Sequence, residues 1–398
     1  MPTTPKKARL LLKQDKAKVI KRTPFTIQLL YATGETKQDI TLGVDAGSKM
    51  VGLSATTNKE ELYSAELMLR NDIVDLLSTR RQNRRARRNR LRYRKVRFLN
   101  RVSTKKMGWL APSIQHKIQT HLRAVEEVYK ILPISQIIVE PASFDIQKIK
   151  NPDIQGKEYQ QGEQLDFWNV REYVLFRDGH RCCGKKGCKN NILNVHHIES
   201  RKTGGNSPNN LITLCEQCHK EYHSGKLELN LKRKQSFKDA AFMGIMRWSF
   251  YNKIKELYPN VSMTYGYITK NTRITNGLPK EHRIDALCIT GNPTVKRSDV
   301  YYFIKKVRCH NRQIHKANIL KGGKKRLNQA AYEVKGFRLF DKVKYDGIEC
   351  FVFARRTKGY FDLRMLDGAK VHASASYKKL KLLETRKYLL CERREPPK

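Results

Sequence analysis

The order of apolar and polar positions along the chain predicts short strands interspersed with amphipathic helices. Apolar runs of strand length lie at residues 25–31, 135–139 and 261–268. Apolar residues at helical spacing lie at residues 114–132 and 236–258. This mixture of elements predicts an α/β protein.

Two further segments show β-type patterns with turns. Residues 39–57 contain two β-rich runs around Ala46-Gly47-Ser48, which predicts a hairpin. Residues 332–390 alternate apolar and polar side chains between glycine turns. This alternation predicts a small β domain near the C-terminus.

The charge of the chain indicates a polyanionic partner. Lys and Arg number 81 and Asp and Glu number 37 among 398 residues, so the formal net charge is +44. Lys and Arg side chains placed against phosphates release condensed counterions, so nucleic acid is the expected partner. An acidic membrane surface is a weaker alternative, because no apolar run is long enough for a transmembrane helix. We therefore expect no membrane association.

The cysteines and the N-terminus predict a cytoplasmic protein. The chain has nine cysteines, an odd number, and several of them cluster between Cys182 and Cys218. That pattern suits a reduced compartment and one metal site better than a disulfide scaffold. The opening Met-Pro-Thr-Thr-Pro-Lys-Lys lacks the apolar segment of a secretory signal.

An arginine-rich tract, RRQNRRARRNRLRYRKVRFLNR, occupies residues 80–101. Such tracts are often disordered tails or localisation signals. This one is internal and lacks Pro and Gly, and Arg is a good helix former. We expect a helix over residues 70–101, roughly 45 Å long at about 1.5 Å per residue. The candidate phosphate-binding side chains are Arg80, Arg81, Arg84, Arg85, Arg87, Arg88, Arg90, Arg92 and Arg94.

Three carboxylates far apart in the sequence are candidates for one metal site. Asp45 and Glu140 each end an apolar strand, and Asp285 follows His282 by three positions on a predicted helix. Each acid alone is more often a turn or a cap. Together they could hold two Mg²⁺ ions, which prefer oxygen ligands and can stabilise phosphodiester hydrolysis.

A Cys/His segment gives the strongest local signal, and it reads RDGHRCCGKKGCKNNILNVHHIESRKTGGNSPNNLITLCEQCHKEYH. Cys215 and Cys218 have the spacing of half a tetrahedral zinc site. We predict that Cys183 and Cys188 are the other two zinc ligands, and Cys182 could replace Cys183. A purely structural zinc knuckle that binds nucleic acid is the simpler alternative.

The same segment resembles an HNH nuclease of the ββα-metal type. The resemblance implies that His197 is the general base and that His196 and His219 bind one Mg²⁺ ion. It implies that Asn210 positions the His197 loop by hydrogen bonds. His223 is either a further ligand or a solvent-facing side chain.

The motifs GVDAGS, IIVEPASFD and HRIDAL resemble RuvC motifs I, II and III of a ribonuclease H-like fold. The resemblance implies that Asp45, Glu140 and Asp285 bind two Mg²⁺ ions and that His282 is a further catalytic group. The arginine tract between the first two motifs resembles the bridge helix of RNA-guided nucleases.

The order of these parts is similar to that of the IscB family, transposon-encoded relatives of the CRISPR type II effectors. The expected fold is a split RuvC core with an inserted HNH domain, an arginine-rich bridge helix and a small C-terminal β domain. The expected divisions are an N-terminal PLMP-like remnant (1–37), RuvC I (38–69), bridge helix (70–101), RuvC II (102–150), linkers with HNH (151–230), RuvC III (231–300) and a basic C-terminal segment with a β domain that binds a target-adjacent motif (301–398).

The IscB resemblance implies a monomer in a ribonucleoprotein with an omega RNA guide and double-stranded target DNA. It implies that HNH cuts the guide-paired strand and RuvC the displaced strand. Candidate readers of the target-adjacent motif are Arg355, Arg356, Lys358 and Tyr360, although a basic loop that touches only RNA phosphates is as good an interpretation. A protein-only HNH homing endonuclease and an RNA-binding transposon accessory protein are the alternative functions.

Overall fold

A computed structural model describes the chain in separate stretches. These are residues 2–34, 37–73, 75–80, 82, 110, 112–141, 164, 167, 169–199, 206–229, 231, 238–308 and 331–396. The predicted bridge helix lies mostly outside them. Of its nine candidate arginines only Arg80 is described, as an exposed residue at the end of a helical stretch, residues 75–80.

The helices with defined bounds in these stretches are short, apart from two of about five turns. They are α1 (Pro5–Lys13), α2 (Pro112–Tyr129), α3 (Val170–Arg177), α4 (Glu216–His223), α5 (Lys238–Leu257), α6 (Gly266–Thr275) and α7 (His282–Ile289). Side-chain caps begin several of them: Thr4 accepts from Lys7 N at 3.3 Å, and Asn169 accepts from Glu172 N at 3.0 Å. Within the described residues, no helix is both long and apolar enough to cross a membrane.

The strands are numbered in chain order. They are β1 (Ala17–Lys21), β2 (Thr26–Leu29), β3 (Thr41–Ala46), β4 (Met50–Thr56), β5 (Glu61–Met68), β6 (Gln136–Pro141), β7 (Leu193–His197), β8 (Leu211–Cys215), β9 (Val261–Met263), β10 (Tyr301–Lys306), β11 (Glu333–Val334), β12 (Phe337–Arg338), β13 (Lys342–Tyr345), β14 (Ile348–Arg356), β15 (Tyr360–Arg364), β16 (Lys370–Ser376), β17 (Lys381–Glu384) and β18 (Leu389–Arg394).

A seven-stranded sheet has the order β18-β10-β5-β4-β3-β6-β9. β3, β4 and β5 form an antiparallel meander, β6 runs parallel to β3, and β9 runs parallel to β6. Val44, Leu53, Leu67 and Ile137 are fully buried. Apolar side chains on both faces of these central strands explain their nearly continuous apolar sequences.

The chain divides into two compact units. The first unit comprises Met1–Asn71, Leu110–Ser143 and Ile245–Lys398, and the second comprises Asp72–Trp109 and Phe144–Gly244. The first unit contains the seven-stranded sheet and a five-stranded antiparallel sheet of order β16-β15-β14-β13-β17. The second contains the β7–β8 hairpin with α3 and α4. The fold is therefore mixed α/β, as the sequence predicts.

The N-terminal residues are bound to the five-stranded sheet within the first unit. Arg22 N donates to Glu384 Oε1 at 3.0 Å. The buried Lys342 ammonium donates to Thr23 Oγ1 at 2.8 Å and pairs with Glu349 at 2.8 Å. Because Arg22 and Thr23 lie more than three hundred positions from Glu384 and Lys342, sequence patterns do not reveal their contacts.

One predicted strand is wrong in its length. The apolar run over residues 261–268 forms a strand only as far as Met263, and α6 begins at Gly266. Tyr265 adopts an extended conformation as the N-cap of α6. Helical hydrogen bonding therefore replaces the ladder, and α6 brings side chains towards the end of β6.

Candidate functional site

Four cysteine side chains converge at one end of the β7–β8 hairpin in the second unit. Cys215 ends β8 and caps α4, Cys218 lies in the first turn of α4, and Cys182 and Cys188 lie in the loop after α3. Their sulfurs lie within 4.8 Å of one another, and those of Cys188 and Cys215 are 3.7 Å apart. Tetrahedral coordination with bonds of about 2.3 Å places sulfurs about 3.8 Å apart. The group therefore fits a thiolate-bound metal ion.

The structure places Cys182, and not Cys183, in this group. Two consecutive cysteines rarely bind one ion together, and here only the sulfur of Cys182 lies among the other three. Cys183 is exposed, and its backbone N–H donates to Thr213 O at 2.9 Å. The predicted pair of Cys183 and Cys188 is thereby corrected to Cys182 and Cys188.

Backbone N–H groups point at the Cys182 sulfur. Cys215 N and Gly184 N donate to it at 3.1 and 3.4 Å. Burial opposes ionisation of this thiol, but the hydrogen bonds outweigh burial and lower the pKa of Cys182 to about 7. Burial raises the pKa of Cys215 and of Cys218. A bound cation would offset this cost, because thiolates are the form that binds metals.

Three imidazole rings converge at a second position in the same unit. His196 is buried near the end of β7, and His219 and His223 lie one turn apart on α4. Their nearest ring nitrogens lie within 4.8 Å of one another. His223 lies within this group although its side chain is exposed. Three protein nitrogens leave positions open for water, as in catalytic metal sites.

The protonation of His196 is compatible with metal binding. Burial, followed by the neighbouring His219 and His223 rings, lowers the pKa of His196 to about 4. Burial and His223 also lower the pKa of His219. Neutral imidazole is the form that binds a metal, so these rings are suited to it at neutral pH.

His197 points away from the three-histidine group, as expected for its neighbour on β7. Its Nε2 lies 3.0 Å from Asn206 Oδ1. The fully buried Asn210 holds the loop that follows: its Nδ2 donates to Glu199 O at 3.0 Å, and its Oδ1 accepts from Glu199 N at 2.8 Å. The Asn210 amide therefore fixes the backbone two residues after His197.

Arg177 connects α3 to the segment that carries Asn210. Its guanidinium donates to both oxygens of Asp178, at 2.7 and 3.0 Å, and to the carbonyls of Pro208 and Leu211, at 2.7 and 2.9 Å. These carbonyls lie on either side of the Asn210 turn. Arg177 thus holds both ends of the turn, which the spacing of the Cys/His motif does not reveal.

The three predicted carboxylates lie in the first unit. Asp45 on β3 and Glu140 on β6 are direct partners in the parallel ladder. Asp285 is in the first turn of α7, which packs on β3 and β4. Asp45 and Glu140 are buried, and Asp285 is partly exposed. The sheet order therefore brings two acids together that are 95 positions apart in the chain.

Each carboxylate has its own neighbour. His282 Nδ1 lies 2.6 Å from Asp45 Oδ2, Glu140 accepts from the Thr269 hydroxyl, and Arg273 Nε lies 2.9 Å from Asp285 Oδ1. Among the described residues, the three acids do not form a group whose ligand atoms all lie within 4.8 Å of one another. The chemistry of three carboxylates fits divalent ions, although Arg273 competes for Asp285.

The charges in this region shift several pKa values. Burial, partly offset by the Thr269 hydrogen bond and increased by Asp45 and Asp285, raises the pKa of Glu140 to about 7. Burial and then Asp45 raise the pKa of Asp285. The hydrogen bond to Asp45 raises the pKa of His282. Burial and neighbouring carboxylates thus raise the pKa of both acids, and the Asp45 carboxylate raises that of His282. A cation bound between the acids would lower these pKa values.

Two glycines allow α7 to approach the sheet. A Cβ on Gly43 would overlap the carbonyl oxygen of Ala286, and a Cβ on Gly52 would overlap that of His282. Only glycine accommodates this close packing. His282 and Asp285 consequently lie directly over the strand that carries Asp45.

The other predicted site residues lie on the five-stranded sheet. Arg355 and Arg356 end β14, Lys358 lies in the turn, and Tyr360 begins β15 opposite Arg356. Arg356 Nη1 donates to Ser374 Oγ at 2.5 Å. The four side chains thus occupy one end of a single hairpin.

Sequence reasoning missed Thr269, Arg273, Asn206 and Arg177. The first two lie on α6, whose first residues belong to the run that predicts a strand over residues 261–268, so the sequence does not reveal their approach to the carboxylates. Asn206 lies in the polar turn GGNSPNN, where composition does not distinguish a positioning residue from an ordinary turn residue.

Comparison with known families identifies two parts of the chain. Residues 181–225 match the family model of the HNH endonuclease, so this segment is an HNH endonuclease domain. Residues 1–162 match the family model of the RRXRR protein. The two matches in one chain confirm the resemblance to IscB-like nucleases.

Individual relatives share only part of the chain. A Streptococcus thermophilus Cas9 in complex with the GGAA PAM is 16% identical, with a TM-score of 0.34, over 56% of this chain and 32% of its own. The type II-C Cas9 of Actinomyces naeslundii is 11% identical, with a TM-score of 0.24, over 64% of this chain and 60% of its own. Anaredoxin from Nostoc sp. is 38% identical over 45 residues, which are 11% of this chain and 59% of Anaredoxin.

Proposed function

We propose that the protein is an RNA-guided DNA endonuclease with two cutting centres. The observation that carries the proposal is the constellation of His196, His219 and His223 beside His197, within the HNH endonuclease domain. The three convergent imidazoles would supply a metal site, and His197, which follows His196 on β7, would supply a base. A purely structural knuckle would need only the four cysteines.

His197 would act as the general base of the HNH centre. The Asn206 carbonyl oxygen can only accept a hydrogen bond, so it holds the proton on Nε2 and leaves Nδ1 as the basic atom. Asn210 keeps the loop after His197 in place through both backbone groups of Glu199. A positioned imidazole of this kind takes a proton from an attacking water.

The ligand types support the proposed metal identities. Cys182, Cys188, Cys215 and Cys218 would hold a structural Zn²⁺ ion. His196, His219 and His223 would hold one catalytic ion, and an all-nitrogen set favours Mn²⁺, Ni²⁺ or Zn²⁺ over Mg²⁺. A bound divalent ion there would stabilise the charge that develops on the phosphodiester.

The second centre would be RuvC-like. Asp45, Glu140 and Asp285 would hold Mg²⁺, which supplies an activated water and stabilises the leaving oxygen when it is bound. Arg273 would have to release Asp285 for this purpose. Adjacent strand ends that present Asp45 and Glu140, and α7 lying over them, support this proposal.

The partners would be an omega RNA and double-stranded DNA. The net charge of +44 and the match to the RRXRR protein support a large nucleic-acid surface. Base pairing would select the target, HNH would cut the guide-paired strand and RuvC the displaced strand. The β14–β15 hairpin, with Arg355, Arg356, Lys358 and Tyr360, would contact duplex DNA next to the target.

The decisive experiment compares the protein purified with and without RNA transcribed from the DNA beside its gene. Both samples are offered a plasmid that carries a sequence complementary to the guide. We expect cleavage only with the RNA. Equal cleavage in both samples would exclude guidance and favour a protein-only homing endonuclease. RNA binding without cleavage under any divalent ion would favour an accessory protein.

Nicking assays test the division of labour between the two centres. The His197→Ala variant should cut only the displaced strand, and the Asp45→Ala variant only the paired strand. Each variant serves as the control for the other, because they lie in different units of the fold. Loss of both cuts in either variant would refute two independent centres.

A further inference from the structure

A cavity of about 640 Å³ lies in the first unit, against the face of the seven-stranded sheet that does not carry the carboxylates. Tyr63 on β5 lines it. Tyr63 pairs with Ala55 of β4, whereas Asp45 pairs with Gly52 of β4. Residues three positions apart on a strand point to opposite faces. An occupant of the cavity would therefore not be the strand that is cut at Asp45.

The lining of the cavity is strongly basic. Six Lys and Arg side chains and two Glu side chains contribute to it, namely Lys21, Arg123, Lys306, Lys342, Arg386, Lys387, Glu127 and Glu384. Three of the cations are paired with carboxylates: Lys21 with Glu127 at 3.3 Å, Lys342 with Glu349 at 2.8 Å and Arg123 with Glu126 at 2.9 Å. Six cations against two carboxylates nevertheless leave the lining with a net positive charge that suits an anionic ligand.

The cavity also presents aromatic surfaces beside the basic groups. Tyr388 and Phe340 contribute to the lining, and Tyr388 is about half exposed. Lys306 Nζ lies 4.9 Å from the centroid of the Tyr388 ring. An inorganic phosphate would not need such a volume or such rings, whereas a nucleotide uses both, since its base stacks on aromatic rings and its phosphate pairs with Lys or Arg.

We infer that the cavity holds one unstacked nucleotide of the bound RNA, with its base against Tyr388 and its phosphate against Lys306 and Lys387. This inference rests on the proposed function, because it takes the RNA as the partner. Single-stranded loops and bulges of RNA present such splayed bases to proteins. A nucleotide held behind the sheet would fix the RNA scaffold to the nuclease core without competing with DNA at the carboxylates.

The experiment uses the full chain and RNA from the neighbouring DNA, transcribed with 4-thiouridine. After irradiation, cross-linked peptides are identified by mass spectrometry, and DNA of the same sequence and uridine 5′-monophosphate are tested in parallel. Lys306→Glu and Lys387→Glu remove the phosphate contacts. Lys344→Glu is the matched control, because Lys344 is exposed on β13 and lies outside the lining.

We expect cross-links within residues 388–393, and each charge reversal in the cavity should lower their yield about tenfold, the cost of one charge-assisted contact. Lys344→Glu should leave the yield unchanged. RNA binding without cross-links there, or with yields unaffected by Lys306→Glu and Lys387→Glu, would overturn the inference and leave the proposed function intact. Binding of uridine 5′-monophosphate in the absence of RNA would make the cavity a free-nucleotide site instead. Failure of the wild-type protein to bind RNA would refute both this inference and the proposed function.

Discussion

The two consecutive cysteines allow a sharp test of the metal centre. Cys182 accepts two backbone hydrogen bonds and lies within 4.8 Å of three other sulfurs, whereas Cys183 is exposed. We therefore expect Cys182→Ser to lose the metal ion and Cys183→Ser to retain it. The two variants differ by one position and have the same composition, so each is the control for the other.

The size of the effect follows from the number of ligands. Structural zinc sites have apparent binding free energies of about 10–16 kcal/mol, so each of four equal ligands contributes about 2.5–4 kcal/mol. Replacement of one thiolate by a hydroxyl should therefore weaken zinc binding about one-hundred- to one-thousand-fold. Cys183→Ser changes an exposed side chain outside the group and should alter the free energy of unfolding by less than about 0.5 kcal/mol.

The measurement is zinc content of the purified full chain by mass spectrometry, together with thermal unfolding before and after addition of a chelator. Wild type and Cys183→Ser should carry one more zinc ion per chain than Cys182→Ser, because the three-histidine group is the same in all three proteins. A chelator should lower the thermal stability of wild type and Cys183→Ser more than that of Cys182→Ser. Retention of zinc in Cys182→Ser, with loss in Cys183→Ser, would refute the assignment.

Three further predictions concern the two proposed cutting centres. Gly52→Ala should force α7 away from the sheet and lower the rate of displaced-strand nicking about a hundredfold. The control is Gly244→Ala, whose added Cβ meets nothing within 4 Å and should leave that rate unchanged. Equal nicking rates in the two variants would contradict the close approach of α7. Asn210→Ala should lower the free energy of unfolding by about 1–3 kcal/mol in chemical denaturation and abolish paired-strand nicking. Asn209→Ala is the control. A stable and active Asn210→Ala variant would refute the positioning role of Asn210. In the Asp45→Ala variant, Mn²⁺ or Ni²⁺ should support paired-strand nicking at lower concentrations than Mg²⁺ does. If Mg²⁺ supported nicking at the lowest concentration, this would argue against a metal site made of imidazoles alone.

Features formed by neighbouring residues can be predicted from the sequence, whereas features that join separate segments cannot. Cys215 and Cys218 lie in one turn at a helix start, so their spacing alone places both sulfurs on one side. Nothing in the spacing decides between Cys182 and Cys183, because that choice depends on the direction in which the loop enters the hairpin. His223 joins His219 through the helical repeat, but its approach to His196 depends on how α4 packs against β7.

The sequence by itself determined the α/β class, the large positive charge, the HNH domain and the order along the chain of the three candidate carboxylates. These follow from composition, periodicity and short motifs, which are properties of neighbouring residues. Only the tertiary structure decided that Asp45 and Glu140 are ladder partners, that Thr269 and Arg273 reach the carboxylates, and that a basic cavity lies on the opposite face of the sheet. The physical reason is that such contacts join residues from separate segments, and their geometry depends on strand order and helix packing across the whole unit.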